Sequence, residues 1–173
     1  MEFISKSVEE TKKIAFDFAS SLKSNPPEDG LQGKTGATVV GLYGELGSGK
    51  TTFMKYLAES FGITETIQSP TFVIMKKYKI VVSSQQSVVS EEKSSKNLTT
   101  NYCLLTTLIH IDAYRLEKEE EMLNLGWREI LANPKNLICV EWPERIAGIM
   151  PKHFVVRFEH DKTGENQRKI SFA

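Results

Sequence analysis

Apolar residues fall into two patterns along this chain of 173 residues. Short runs of β-branched and other apolar residues predict strands, and stretches with apolar residues at helical spacing predict helices between them. We therefore expect an α/β fold with a mostly parallel central sheet, antiparallel edge strands and flanking helices. The predicted strands cover residues 2–5, 38–43, 73–82, 102–111, 137–140, 153–159 and 169–172, and the last two form an antiparallel hairpin.

Capping and breaking residues mark the ends of the helices. Ser7 and Glu10 form a capping box before an apolar stripe, and this first helix ends at the turn-rich segment 25–30. The other predicted helices cover residues 52–61, 117–125 and 127–131.

The segment between the second strand and the next helix fits the phosphate-binding pattern Gly-x-x-x-x-Gly-Lys-[Ser/Thr]. Glycines at this spacing let backbone amides approach an anion at the positive end of the following helix. Lys50 would reach the β- and γ-phosphates of a nucleotide, and the Thr51 hydroxyl would hold Mg²⁺. The order of strand, loop and helix predicts a three-layer fold like that of P-loop NTPases. The predicted nucleotide-binding residues of this segment are Gly44, Glu45, Leu46, Gly47, Ser48, Gly49, Lys50, Thr51 and Thr52.

Two acidic residues, Asp112 and Glu141, directly follow apolar strands. Nucleotide-binding folds keep a carboxylate near Mg²⁺ at this position. A pair of such carboxylates beside a P-loop can hold the waters of Mg²⁺ and orient the attacking water. Asp112 has a second interpretation, because it also fits the N-cap of the helix that follows it.

Several other side chains have two open interpretations. Ser69 and Thr71 follow the P-loop helix, where a hydroxyl either contacts the γ-phosphate or Mg²⁺ or belongs to an ordinary turn. Trp142 either covers the nucleotide or packs in the core. Arg115 either neutralises phosphate charge or forms a surface salt bridge. His110 has no partner at metal-ligand spacing, which favours a structural role.

Composition narrows the class of protein. The 22 basic and 22 acidic residues cancel, so no global field attracts nucleic acid or membrane. The chain has no apolar run of membrane-spanning length, and residues 1–6 lack the apolar region typical of a secretory leader, so we expect a reducing cytoplasm. Cys103 and Cys139 fit small buried apolar residues in strands. We expect one P-loop ATPase domain over residues 1–173, with a flexible polar insertion at residues 83–101.

Four motifs then occur in a fixed order: Gly-Glu-Leu-Gly-Ser-Gly-Lys-Thr, Ser-Pro-Thr-Phe, His-Ile-Asp-Ala-Tyr-Arg-Leu and Val-Glu-Trp-Pro-Glu. Together they resemble the bacterial TsaE (YjeE) family over almost the whole chain. The resemblance implies a small ATPase required for threonylcarbamoyladenosine at position 37 of tRNAs that decode codons beginning with A.

The resemblance also implies roles for the matching residues. Lys50 and the loop 44–51 would bind the ATP phosphates, while Thr51 and Glu141 look like Mg²⁺ ligands. Asp112 matches the family's Walker-B-like acid, which adds it to the catalytic and metal-binding set.

Further positions match outside the P-loop and the two acids. Thr71 corresponds to a switch-like threonine near the γ-phosphate and joins the catalytic set. Trp142 corresponds to a tryptophan beside the nucleotide. Arg168 is the candidate for a basic residue of the last hairpin that touches nucleotide, although Lys169 and Asn166 compete for that alignment.

The resemblance further implies a partner, namely the heterodimer of the threonylcarbamoyl transferase and its inactive paralogue. ATP turnover would reset that complex, tRNA would be reached only through it, and hydrolysis by the isolated chain would be weak. Two alternatives use the same P-loop: a small-molecule kinase and a regulatory module that does not hydrolyse ATP. A kinase would need an arginine-bearing lid, yet the long insertion has no arginine. A GTPase is disfavoured because the chain has no Asn-Lys-x-Asp motif.

We predict that Lys50→Ala abolishes nucleotide binding, because it removes the cation that faces the phosphates. Asp112→Ala and Glu141→Ala should retain binding and lose turnover. Binding is measured with a fluorescent nucleotide and turnover by phosphate release. Turnover at the wild-type rate in the Glu141 variant would remove Glu141 from the catalytic set.

Overall fold

The computed structural model describes residues 1–24, 36–70, 73–81, 105–160 and 167–173. These regions contain seven strands, four α-helices and one 3₁₀ helix. The strands are β1 (Glu2–Ser5), β2 (Thr38–Tyr43), β3 (Met75–Lys79), β4 (Thr107–Asp112), β5 (Asn136–Glu141), β6 (Phe154–His160) and β7 (Arg168–Phe172). The helices are α1 (Val8–Ser24), α2 (Lys50–Ser60), α3 (Glu119–Asn124), α4 (Trp127–Ala132) and the 3₁₀ helix Pro143–Ile149.

All these strands join one sheet in the order β1-β7-β6-β2-β5-β4-β3. β2 lies at the centre and pairs in parallel with β5 and β6, and β4 pairs in parallel with β5. β3 is antiparallel to β4 at one edge, and β7 lies antiparallel between β6 and β1 at the other. The predicted sheet, parallel in the middle with antiparallel edges, is confirmed. Since parallel strands end at the same edge, the segments after β2, β4 and β5 meet there.

The sheet separates two hydrophobic cores, which makes three layers. α1 and α2 cover one face, where Phe53 packs with Val40 of β2. α3, α4 and the 3₁₀ helix cover part of the other face, where Trp127 packs with Val39. Val39 and Val40 are neighbours, and strand alternation sends their side chains to opposite faces. None of the helices described is long and apolar enough to cross a membrane.

The capping box at the start of α1 differs slightly from its prediction. The Glu10 amide donates to Ser7 Oγ at 3.2 Å, as expected. The Glu10 carboxylate accepts a hydrogen bond from the amide of Lys6 at 2.6 Å, one residue before the expected Ser7. Both bonds satisfy free amides at the helix start, so the cap keeps its physical role.

The predicted strand 73–82 was too long at both ends, since β3 covers only Met75–Lys79 and residues 80–81 lie outside it. The amides of Val73 and Ile74 both donate to the Pro70 carbonyl oxygen, at 2.9 and 2.6 Å, and Ile74 has a left-handed φ of 63°. This turn delays the start of β3 to Met75.

The predicted strand 102–111 also began too early, because β4 starts at Thr107 and residues 105–106 are outside it. Residues 82–104, which include Cys103 and the predicted insertion, lie outside the described residues. Cys139 is fully buried in β5, as predicted. The sequence pattern did not predict the 3₁₀ helix Pro143–Ile149.

We predict that Phe53→Ala lowers the free energy of unfolding by about 3–5 kcal/mol, the usual cost of truncating a buried aromatic ring. The Phe53 ring is fully buried, with centroids 5.4 to 6.2 Å from those of Phe18, Phe158 and Phe172. Phe3→Ala is the control, because Phe3 is 37% exposed and should cost about 1 kcal/mol. Urea denaturation of both variants measures the difference, and equal costs would contradict the predicted core.

Candidate functional site

The phosphate loop, residues 44–51, connects the end of β2 to the start of α2. Gly44, Gly47 and Gly49 have φ values of 141°, 75° and 103°, which only glycine adopts readily. A Cβ atom at Gly44 would also overlap the carbonyl oxygen of Phe158 on β6. Gly44 is therefore required by packing as well as by backbone conformation.

Lys50 folds back over the loop that precedes it. Its side chain is buried, and its Nζ donates to the carbonyl oxygens of Gly44 at 2.6 Å and Glu45 at 2.9 Å. Nζ also lies 4.1 Å from the ring centroid of Trp142, within the range of a cation–π contact. The loop thus holds the ammonium in place before any anion arrives.

Burial and the neighbouring charges act on the pKa of Lys50 in opposite directions. Burial lowers the pKa of Lys50, while the carboxylates of Glu141, Glu144 and Asp112 counteract part of this effect. An anion bound in the loop would favour the protonated form in the same way as these carboxylates.

Glu141, the last residue of β5, connects the sheet to the phosphate loop. The Thr51 hydroxyl on α2 lies 2.9 and 3.0 Å from the two Glu141 carboxylate oxygens and donates to them. His110 Nε2 on β4 lies 2.8 Å from Glu141 Oε1. Glu141 is 3% exposed and His110 is fully buried. The carboxylate is therefore held from two sides, by a helix and by a neighbouring strand.

Asp112 pairs with Glu141 across β4 and β5 and is buried. Its Oδ2 accepts a hydrogen bond from Ser69 Oγ at 2.5 Å, and its Oδ1 accepts one from the Tyr114 amide at 3.0 Å. The alternative that Asp112 caps the next helix is wrong, because α3 begins only after Lys118. The carboxylate instead shapes the turn after β4 and ties it to the loop that contains Ser69.

Trp142 leaves β5 with an unusual backbone conformation. Its φ of 58° is left-handed, and its amide lies 3.3 Å from the Leu42 carbonyl oxygen. The half-buried ring packs against the second core and tilts against Tyr114 with centroids 5.0 Å apart. Trp142 therefore packs at the core boundary and also lies over Lys50, while its contact with a nucleotide stays a prediction.

Oxygen atoms from three elements fit a Mg²⁺ site at this edge. They belong to Thr51 on α2, Glu141 on β5 and Asp112 on β4. Within the described part of the chain, no three His, Cys, Asp or Glu side chains cluster closely enough to hold a metal by themselves. Mg²⁺ commonly binds through one or two carboxylates together with substrate phosphates and water, so the oxygens present suit that ion.

The remaining predicted residues lie in several environments. Within the loop Ser48 is buried, whereas Glu45, Leu46 and Gly47 are exposed, as is Thr52 on α2. Thr71 lies outside the described residues.

Arg168 begins β7 on the same edge of the sheet as the phosphate loop, because it pairs with His160 at the end of β6. Its guanidinium donates to the Gln167 carbonyl oxygen at 2.9 Å. Among its competitors, Lys169 forms an ion pair with Glu2 at 3.0 Å, and Asn166 lies outside the described residues.

A groove of about 450 Å³ lies between the start of the phosphate loop and the end of β6. Arg157 lies over the ring of Tyr43 at 4.8 Å on one side of it. The sequence did not single out the residues that β6 contributes to this groove, since only the pairing of β6 with β2 brings them to the loop. The lining residues are Tyr43, Gly44, Glu45, Arg157, Phe158, Glu159 and His160.

His110 is the main site residue that sequence reasoning undervalued. Its spacing of two from Asp112 in one strand puts both side chains on the same face. That spacing was the available signal. The contact with Glu141 depends on the pairing of β4 with β5, which the sequence does not show.

The chain was compared with protein-family models, and residues 5–170 match the one described as "Threonylcarbamoyl adenosine biosynthesis protein TsaE". The chain belongs to the TsaE family. The resemblance predicted from the four motifs is thereby confirmed.

Individual relatives agree with membership in the TsaE family. The chain is 34% identical over 164 residues to the tRNA threonylcarbamoyladenosine biosynthesis protein TsaE of Rickettsia felis, covering 94% of this chain and 74% of that protein. The Bacillus subtilis protein of the same name is 33% identical over 165 residues, covering 95% and 80%. The crystal structure of Bacillus subtilis YdiB matches the fold with a TM-score of 0.62 at 26% identity, covering 99% of this chain and 83% of that one.

We predict that Thr51→Val destabilises the nucleotide-free protein, because the buried Glu141 carboxylate loses one donor. Hydrogen bonds to charged groups contribute about 1.5–3 kcal/mol. Thr52→Val is the matched control, since Thr52 is exposed and follows Thr51 in the same helix turn. It should change the free energy of unfolding by less than about 0.5 kcal/mol. Equal effects in the two variants, measured by denaturation without nucleotide, would argue against the Thr51–Glu141 bond.

Proposed function

We propose that this chain binds ATP with Mg²⁺ and hydrolyses it weakly on its own and faster with a partner, within the tRNA threonylcarbamoyladenosine biosynthesis of the TsaE family. The observation that carries the proposal is the bond between Thr51, at the end of the phosphate loop, and Glu141 on the neighbouring strand. A hydroxyl at the loop and a buried strand-end carboxylate are the pair with which P-loop NTPases hold the metal.

The phosphate loop supplies the binding of the triphosphate. Its backbone amides and the start of α2 offer positive partial charge to the β-phosphate. Lys50 exchanges its bonds to the Gly44 and Glu45 carbonyls for bonds to phosphate oxygens. The ammonium is already positioned and partly desolvated, so binding loses less side-chain entropy at Lys50.

Thr51, Glu141 and Asp112 are the residues that would hold Mg²⁺. The ion supplies charge neutralisation at the phosphates when it is bound. Asp112 and Glu141 would bind water at this edge and would orient one water for attack on the γ-phosphate. Thr71 belongs to this proposal as the switch-like threonine, and Trp142 and Arg168 as nucleotide contacts outside the loop.

Exposed apolar side chains around the site support a partner requirement. Leu46 at the tip of the phosphate loop is 76% exposed, Val73 is 58% exposed and Tyr114 is 42% exposed. A partner that covers this edge would exclude water from the site and complete it. We propose that the partner is the heterodimer of the threonylcarbamoyl transferase and its inactive paralogue. The chain would reach tRNA through that complex. It would act in the cytoplasm as one P-loop ATPase domain.

The deciding experiment is ATP hydrolysis by the purified chain, alone and with the transferase heterodimer from the same source. We expect slow release of phosphate that rises when the heterodimer is added, and no rise for Glu141→Gln. A heterodimer that neither binds nor changes the rate would refute the partner proposal. Phosphate transfer to a small acceptor without hydrolysis would support the kinase alternative instead.

We predict that nucleotide binding takes up a proton at alkaline pH. Burial lowers the pKa of Lys50 in the free protein, and a bound phosphate raises it again. Between these two pKa values the free lysine is neutral and the bound lysine is charged, so affinity falls as pH rises through the free-state pKa. Calorimetry of ADP binding in buffers with different ionisation enthalpies measures the proton count. Lys50→Arg is the control, because a guanidinium stays charged in this pH range and should show no uptake.

A further inference from the structure

His110 and Glu141 form a buried pair behind the phosphate loop. The 2.8 Å distance between Nε2 and Oε1 is that of a short hydrogen bond, and His110 has no exposed surface. The two residues lie on the adjacent strands β4 and β5. His110 pairs with Cys139, which precedes Glu141 by two residues in β5. His110 therefore lies nearer the start of the strands than Glu141 does, on the side of the carboxylate away from the phosphate loop.

The second ring nitrogen identifies the tautomer. His110 Nδ1 is buried and has no hydrogen-bond partner among the residues that the structure describes. A proton on Nδ1 would leave a donor unsatisfied in the interior, and Nε2 would then present a lone pair to an anion. The geometry fits a ring that carries its proton on Nε2 and donates it to Glu141.

This donor fixes one oxygen of the carboxylate. Oε1 receives His110, while the Thr51 hydroxyl is shared between Oε1 and Oε2. An ionised carboxylate that is 3% exposed needs donors to offset the water that it has lost. If Thr51 turns its oxygen to a metal ion, His110 keeps Glu141 in its rotamer and leaves Oε2 directed to the site.

We propose that His110 is a positioning residue that holds Glu141 toward the Mg²⁺ site through its Nε2–H group. The inference rests on the proposed binding of Mg²⁺ and ATP. Donors of this kind behind metal ligands typically change metal affinity or activity by about 10- to 100-fold when removed. A histidine that merely filled the core would leave the Mg²⁺ dependence unchanged when replaced by an apolar residue.

The test compares four variants by the affinity for a fluorescent ADP analogue, measured in EDTA and across a Mg²⁺ titration. His110→Leu should leave the affinity in EDTA unchanged and raise the Mg²⁺ concentration for half-maximal effect by about 10- to 100-fold. His110→Gln should restore most of the response, because its amide N–H reaches the place of Nε2. His110→Asn, whose amide is shorter by one carbon, should not.

Cys139→Ala is the matched packing control. Cys139 is fully buried in β5 and pairs with His110, so this variant disturbs the same layer without removing the donor. It should lower thermal stability and keep the wild-type Mg²⁺ response. If His110→Leu fails to fold, the comparison of His110→Gln with His110→Asn decides, since both are polar.

Nitrogen-15 NMR of the metal-free protein gives a readout that is independent of turnover. The His110 signal, assigned by its loss in His110→Gln, should show the tautomer with the proton on Nε2. A proton on Nδ1 would overturn the inference, as would a wild-type Mg²⁺ response in His110→Leu or equal responses in the Gln and Asn variants. If the wild-type protein itself shows no Mg²⁺-dependent binding, the proposed function fails and the inference fails with it.

Discussion

The site depends on the parallel pairing of the three central strands β2, β5 and β4. This pairing sets Leu42 beside Glu141, and Glu141 beside Asp112. A shift of one residue in either pairing would turn the acidic side chains to the opposite face of the sheet. The backbone hydrogen bonds of the sheet therefore decide which carboxylates stand beside the phosphate loop, before any side chain interacts with another.

Burial of charge is the second constraint on this edge. Lys50, Asp112 and Glu141 are each less than 5% exposed, and the structure gives every one of them hydrogen-bonding partners. Isolated ions would be costly at this depth, whereas bonded and mutually compensating ones are tolerated. The arrangement thus places one buried cation and two buried carboxylates at the same edge of the sheet, each fixed by its own hydrogen bonds.

The sequence predicted those parts of the protein that depend on local chemistry. The phosphate loop between strand and helix, the two strand-end acids and the sheet with antiparallel edges follow from short motifs and apolar patterns, and the fold and family are confirmed. The contact of His110 with Glu141 and the groove beside Gly44 depend on strand order and pairing, which local patterns do not contain. The 3₁₀ helix after Trp142 was missed because a left-handed tryptophan before Pro143 is a conformation that no propensity favours. The functional roles of the acids and of Thr71 stay predictions.

The glycines of the phosphate loop are constrained for different reasons. At Gly44 a methyl group would strike the backbone of Phe158, whereas at Gly47 nothing lies within 4 Å of the added atom. Position 47 thus excludes most residues only through its dihedral angles, so asparagine, which tolerates a left-handed backbone, has room there. Position 44 admits no side chain unless β6 moves away. Tolerance to substitution should therefore differ along the loop. Some replacements should be accepted at position 47, at the tip, and none at position 44, where the loop leaves the sheet.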